Sequence, residues 1–375
     1  MIAIHPTDAE LRRAYGGKRV FLTGHTGFKG GWLSLWLAEL GAEVWGYALA
    51  PDTSPSLFEA ATVASACHHQ VADVRDLSSL REALRLARPD VVFHLAAQPL
   101  VRLSYDRPLD TLTTNVVGTA HLLEALRLEQ IRCAVVVVTS DKCYENREWI
   151  HGYREAEPMG GHDVYSMSKG ATELLVAAWR RSFFHPARLA DHGVAIATAR
   201  AGNVVGGGDW SRDRIVPDAV LALVAGRDIS VRNPSAVRPW QHVLEPLGGY
   251  LLLGSNLMAT NQPGRYCEGW NFGPRFEDAR PVRDVVDSIV RHWGSGGWID
   301  CHSPDAPHEA GLLRLSIDKA QANLGWSPRW HFDEAFERTV DWYKAFYSST
   351  GPKDMKALCL DQIAAYMGAT QGGAV

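Results

Sequence analysis

From residue 18 onward the chain alternates short, unbroken apolar runs with longer stretches whose apolar positions recur every three or four residues. R-V-F-L-T (19–23), E-V-W-G-Y-A-L (43–49), D-V-V-F-H-L (90–95), A-V-V-V-V-T (134–139) and G-V-A-I-A-T-A-R (193–200) are apolar nearly throughout. Strands of that kind suit a parallel sheet covered on both faces. Between them, the helical period predicts helices over 29–40, 77–87, 109–127 and 164–184. Repeated βα units predict a doubly wound α/β sheet over residues 1–200. After Gly202 the chain turns Gly-rich and then richer in Pro, Trp, His and Arg. Residues 201–375 are therefore expected mainly to form a smaller α/β substrate-binding region. Helices are expected near 243–257 and 333–346, with some chain returning to the sheet and a frayed tail at the end.

Composition narrows the function classes. A length of 375 residues suits one large or two medium domains. A formal charge of −4, with no run of like charges, argues against a nucleic-acid surface. The six cysteines have no C-x-x-C spacing, and no His/Cys/Asp cluster has metal spacing. Reduced thiols in a cytoplasmic enzyme without a metal are the expectation. The N-terminus lacks the basic start and apolar core of a signal peptide, and no window is apolar long enough to span a bilayer.

The first strand runs into T-G-H-T-G-F-K-G, with Gly24, Gly27 and Gly30 between strand and helix. Glycines there let the backbone turn tightly and approach a pyrophosphate, whose charge then faces the helix N-terminus. This predicts a Rossmann domain holding NAD. The G-x-x-G-x-x-G spacing resembles short-chain dehydrogenases of the extended class. That resemblance implies cofactor contacts from Gly24, Thr26, Gly27, Phe28, Lys29 and Gly30, from Asp73 and Val74 near the adenine, and from Leu95, Ala96, Ala97 and Gln98. It gives Asn115 a supporting role. The ribose-binding acid usual after the second strand is missing until Asp52, which keeps NADP as an alternative cofactor.

Y-S-M-S-K places Tyr165 and Lys169 at i and i+4, one turn apart on one helix face. A tyrosine titrates near 10 in water, so acting as a base near neutrality needs ~4 kcal/mol of phenolate stabilisation. A neighbouring ammonium and the positive ring of an oxidised nicotinamide cofactor both act in that direction. The strand before this helix ends in Ser140, Asp141 and Lys142. Oxidation alone needs only a hydroxyl, a tyrosine and a lysine. An extra acid and an extra potential base suggest a second proton-transfer step, as in a dehydration set between two redox steps.

In this light the sequence resembles the sugar-nucleotide 4,6-dehydratases, and within them the CDP-sugar branch. The carriers are T-G-H-T-G-F-K-G-G-W-L (23–33), L-A-P-D-T-S-P-S-L-F-E (49–59), H-L-A-A-Q-P-L-V-R (94–102) and T-S-D-K-C-Y (139–144). Y-S-M-S-K (165–169), R-A-G-N-V-V-G-G-G-D-W (200–210) and R-P-W-Q-H-V-L-E-P (238–246) complete them. The resemblance implies CDP-glucose as substrate, Ser140 on the sugar O4, Asp141 as the acid, and Lys142 where other branches carry a glutamate base. It implies substrate contacts from Arg102, Asn203, Arg214, Arg238 and His308, with Arg232 a weaker candidate and His242 within a family-like segment. Guanidinium matches phosphate oxygens, so Arg214 and Arg238 suit a diphosphate. Trp240 and Trp270 suit either core or base stacking. A homodimer packed through a four-helix bundle is also implied.

Two rivals differ in what they require. A sugar-nucleotide epimerase or reductase would keep Tyr165 and Lys169 but has no need of Asp141 together with Lys142. A non-catalytic cofactor sensor would keep the glycine turn and lose the tyrosine–lysine pair.

Overall fold

The computed structural model describes residues 7–259, 262–302, 311–348 and 354–368. Its centre is a seven-stranded sheet of β1 (Arg19–Thr23), β2 (Glu43–Ala48), β3 (His68–Val71), β4 (Val91–His94), β5 (Ala134–Val138), β6 (Ala195–Arg200) and β7 (Gly269–Asn271). The order is β7-β6-β5-β4-β1-β2-β3 and every pairing is parallel. The apolar runs of β4, β5 and β6 are buried along their whole length, whereas polar β3 forms an exposed edge. Strand order reverses between β1 and β4, and in such sheets ligands bind in the crevice beyond the strand ends at that point.

Each strand sends alternate side chains to opposite faces. Val135, Val137 and Ile196 meet Leu80 and Leu84 of α2 (Leu77–Ala87), Leu122 and Leu126 of α3 (Gly118–Leu128) and Val176 of α4 (Val164–Ser182). Val136, Val138 and Phe93 face the other way, with Trp32 and Trp36 of α1 (Phe28–Glu39) and Leu247 and Leu251 of α5 (Leu244–Met258). The Tyr15 hydroxyl donates to the Leu251 carbonyl at 2.6 Å, so α5 is held against the sheet. After α6 (Phe332–Phe346) the chain returns as α7 (Met355–Gly368) and packs on α1. There the Tyr366 ring meets Trp36 edge-on, and its hydroxyl donates to buried Glu245 at 2.9 Å.

The helix expected over 109–127 is present, with one irregular turn inside it. It consists of Pro108–Leu112, one wider π-helical turn at Thr113–Val117, and then α3. The carbonyl of Asn115, inside the wide turn, accepts from the hydroxyls of Thr119 and Thr172. Such turns recur where a helix is adapted to a functional site.

A buried polar network fixes α4 against the strand ends. The Glu173 carboxylate accepts from Arg200 at 2.8 Å, from Thr139 at 2.5 Å and from Thr198 at 2.7 Å. Arg200 also donates to the Tyr144 hydroxyl at 2.6 Å and to the Glu155 carbonyl at 3.0 Å, which ties down the loop after β5. Burial opposes ionisation of Glu173, but Arg200 and the two hydroxyls overcome it and hold its carboxyl below the usual range. Removing one partner of a buried pair leaves an uncompensated charge. Glu173→Ala is therefore expected to lower stability by about 3–5 kcal/mol. Urea unfolding checks this, and a loss within the error of the fit would contradict the central place given to this network.

Candidate active site

A cavity of about 1120 Å³ opens at the C-terminal ends of β1, β2, β4, β5 and β6. Its first wall is the glycine turn. Gly24 sits at φ +79°, where a side chain is strained, and a Cβ there would lie 2.8 Å from the Ala96 nitrogen. A Cβ on Gly30 would overlap the Gly24 carbonyl. Gly27 starts α1 with no side-chain cap, and the first turn carries no acid. The amide groups at this helix end therefore face the cavity without a resident anion, which fits the pyrophosphate of a dinucleotide.

Gly24, Thr26, Gly27, Phe28, Lys29 and Gly30 all line the cavity, as do Asp73, Val74, Leu95, Ala96 and Ala97. Thr26 uses its hydroxyl to hold the Leu49 carbonyl at 2.8 Å, and the Asp73 carboxylate is engaged by Arg75. Asp52 lines the same wall beyond the end of β2. The contact expected from Gln98 changes, and Asn115 takes a place consistent with its expected supporting role. Gln98 and Asn115 are not among the residues that line the cavity. The Gln98 side chain is consumed in its own turn, bonding the Leu100 backbone and the Thr111 hydroxyl. Asn115 joins that turn to α4: it accepts from the Gln98 amide at 2.8 Å and donates to the Ser168 hydroxyl at 2.9 Å. Both shape the wall from behind.

The second wall carries the catalytic candidates. Ser140, Asp141, Lys142, Tyr165 and Lys169 converge on the cavity from the end of β5 and the first turns of α4. The Ser140 hydroxyl donates to Asp141 Oδ1 at 2.9 Å and lies near the Tyr165 phenol. Asp141 has no exposed surface, while the Lys142 side chain is one-third exposed with its Nζ 3.8 Å from Asp141 Oδ1. A Cβ on Gly202 would overlap Asp141 Oδ2, so this glycine makes room for the acid. Gly202 stood within a quoted motif, but nothing in the sequence showed what its missing side chain would meet.

Burial pushes the Tyr165 phenol up to about 12, with the nearby Ser140 hydroxyl opposing the shift. Burial pushes Lys169 down to about 8, against the opposing influence of Cys143 and Glu173. Burial, followed by the charges of Arg214 and Lys169, brings Lys29 down to about 7. Tyr165 is thus a neutral phenol near pH 7 in the ligand-free protein, and the cofactor's positive charge would lower it.

Arg102, Asn203, Arg214, Arg232 and Arg238 line the remaining wall. Arg214 is held by Asp209 at 2.6 Å, and Asp213 is shared between Arg102 and Arg232. Asn203 adopts φ 40°, and its buried Oδ1 has no partner among the described residues, which fits a ligand contact. Trp240 also reaches the cavity. Trp270 lies in the core, and His242 is buried between Trp32 and Trp330. His308 lies outside the described residues. No group of three or more His, Cys, Asp or Glu placed to hold a metal ion occurs among the described residues, and none of their helices is long and apolar enough to cross a membrane.

Residues 20–266 match the model of the NAD dependent epimerase/dehydratase family, and the chain belongs to that family. It is 50% identical over 355 residues to a CDP-glucose 4,6-dehydratase of Salmonella typhimurium, covering 94% of this chain and 97% of that protein. It is 31% identical to a dTDP-glucose 4,6-dehydratase of Streptomyces antibioticus, over 69% of this chain and 71% of that one. Among solved structures, a dTDP-glucose 4,6-dehydratase of Streptomyces venezuelae with NAD bound superposes with a TM-score of 0.71. That match covers 87% of this chain and 97% of the other at 22% identity, and it shows the shared fold.

The Lys169 environment has a measurable consequence. Between about 8 in the folded protein and the ordinary lysine value of 10.5, the unfolded chain holds a proton that the folded one has lost. Stability must therefore rise with pH across that window, because the unfolded state binds more protons there. Lys169→Met is expected to raise stability near neutrality and to flatten this rise. Urea unfolding at about pH 7 and about pH 9.5 measures both; a slope unchanged by the substitution would contradict the burial of a charged Lys169.

Proposed function

We infer that this chain is an NAD-dependent CDP-glucose 4,6-dehydratase, converting CDP-glucose to CDP-4-keto-6-deoxyglucose. The observation that carries the reading is the convergence of Ser140, Asp141 and Lys142 with Tyr165 and Lys169 on one cavity that also holds the glycine turn. The 50% identity to a CDP-glucose 4,6-dehydratase over nearly the whole chain supports the nucleotide.

Bound NAD supplies the hydride acceptor for the sugar C4 and the hydride donor for C6. Tyr165 takes the proton of the 4-hydroxyl, with Ser140 holding that oxygen and Lys169 stabilising the phenolate. The resulting C4 ketone makes the C5 proton acidic. Lys142 takes that proton, Asp141 gives its own to the C6 oxygen, and the C6–O bond breaks to release water. A proton then returns to C5 from Lys142. Arg214 and Arg238 bind the diphosphate, with Arg102 and Arg232 beside them and Asn203 facing the sugar.

The epimerase and reductase reading has no use for an acid held by Ser140 next to a lysine. The non-catalytic reading is disfavoured by the intact pair of Tyr165 and Lys169. We place the enzyme in the cytoplasm, in deoxysugar biosynthesis, and as a homodimer. Exposed Leu109 and Val117 before α3, and Met167 and Leu174 on α4, support a four-helix bundle between copies. Light scattering that returned the monomer mass would contradict that assembly.

Assays with CDP-glucose and dTDP-glucose in parallel test the reading, which expects a keto-sugar product from the first and little from the second. Lys142→Ala is expected to keep NAD affinity by calorimetry while lowering water loss by about 10²–10⁴-fold, the usual contribution of a positioned acid or base. Full dehydratase turnover in this variant would remove Lys142 from the mechanism.

A further inference from the structure

One buried acid on the cavity wall has no part in the reaction described above. Asp209 is 4% exposed. Its Oδ2 accepts from Arg214 Nη1 at 2.6 Å, and its Oδ1 accepts from the Ser211 amide at 3.0 Å. Arg214 stands directly before the helix Ile215–Val224, with its side chain one-third exposed, and both residues line the cavity. A guanidinium has five N–H donors, and Asp209 engages one of them. The other four have no hydrogen-bond partner among the described residues. The acid itself is firmly seated. The Tyr343 hydroxyl of α6 donates to the Asp209 carbonyl, and the Trp210 ring packs against Trp342 and Phe346 of the same helix. From the cofactor side, Trp32 of α1 donates to the Gly207 carbonyl at 2.9 Å. A Cβ on Gly207 would overlap the Trp342 ring, so the loop lies flush against α6.

We propose that Asp209 is a positioning residue for Arg214: it grips one N–H of the guanidinium and turns the free ones toward the substrate diphosphate. The arginine is then oriented before substrate arrives, so its side-chain entropy is lost on folding and not on binding. This rests on the nucleotide-sugar reading, because a diphosphate is the ligand that suits an aimed guanidinium. Two effects of Asp209 oppose each other. Removing its charge alone would tighten the binding of a diphosphate, and removing its grip would loosen it. The 2.6 Å contact on an enclosed side chain makes the grip the larger effect. Weaker substrate binding in a folded variant therefore reports lost aim.

Asp209→Asn keeps the shape of the side chain and an acceptor for Ser211 but gives up the charged bond to Arg214. KM for CDP-glucose should rise about tenfold at unchanged kcat, the pattern of a contact made equally in the ground state and the transition state. NAD affinity by calorimetry should not change. Arg214→Met should also raise KM, and adding Asp209→Asn to it should raise KM no further. Tyr343→Phe is a milder change at a residue that does not line the cavity. It should raise KM about threefold, and it carries the test if Asp209→Asn does not fold. An unchanged or lower KM in folded Asp209→Asn or Tyr343→Phe would overturn the proposal, as would a further rise in the double variant. If the native enzyme released no water from CDP-glucose, the dehydratase reading itself would fail, and CDP, UDP and dTDP would be titrated by calorimetry instead. Weaker binding of the tightest of the three to Asp209→Asn would keep the role of Asp209. Equal or tighter binding, or no binding of any of them to the native protein, would overturn it.

Discussion

The buried ion pair of Glu173 and Arg200 holds the working parts of this enzyme in one frame. Glu173 lies one turn beyond Lys169 on α4, and Arg200 ends β6. Through Thr139 the pair grips the residue before Ser140, and through Tyr144 it grips the loop that follows Lys142. The Tyr144 hydroxyl in turn donates to Asn271 on β7, so the network reaches the sheet edge. Desolvating both charges is unfavourable, and only the full set of hydrogen bonds offsets it. An apolar substitute could hold the helix in place, but it would not fix which residue of α4 meets which strand end. It would also remove the carboxylate that favours the charged form of Lys169.

Within that frame the site works by charge at short range. Burial keeps Tyr165 protonated and weakens the hold of Lys169 on its proton. With an oxidised nicotinamide cofactor bound in this cavity, its positive charge would favour ionisation of Tyr165, and a Tyr165 phenolate would in turn strengthen the proton affinity of Lys169. On the sheet side, Asp141 is enclosed while Lys142 keeps contact with solvent, so the two adjacent groups sit in different surroundings.

Much of this could be read from the chain. Unbroken apolar runs give parallel strands because both faces of the sheet are covered, and the glycine turn and Y-S-M-S-K are local patterns whose geometry follows from one strand or one helix. Features set by distant packing could not be read that way. The wide turn at Asn115 depends on Thr172 and Ser168 of another helix. Gln98 sat in a cofactor-like motif, yet its side chain closes its own turn. Helix α7 has apolar residues around its circumference, Leu358, Leu360 and Ile363 among them, so no amphipathic period announced it. Its docking on α1 depends on Glu245 and Arg329, both far away in sequence.

The most direct test of the account follows one hydrogen. CDP-glucose carrying deuterium at C4, incubated with enzyme and NAD, should give a 4-keto-6-deoxy sugar with that deuterium at C6, read by mass spectrometry and NMR. That result would show that oxidation, water loss and hydride return occur in a single cavity. Deuterium returned to C4 with no water lost would instead make the protein an epimerase, and the pairing of Asp141 with Lys142 would need another explanation.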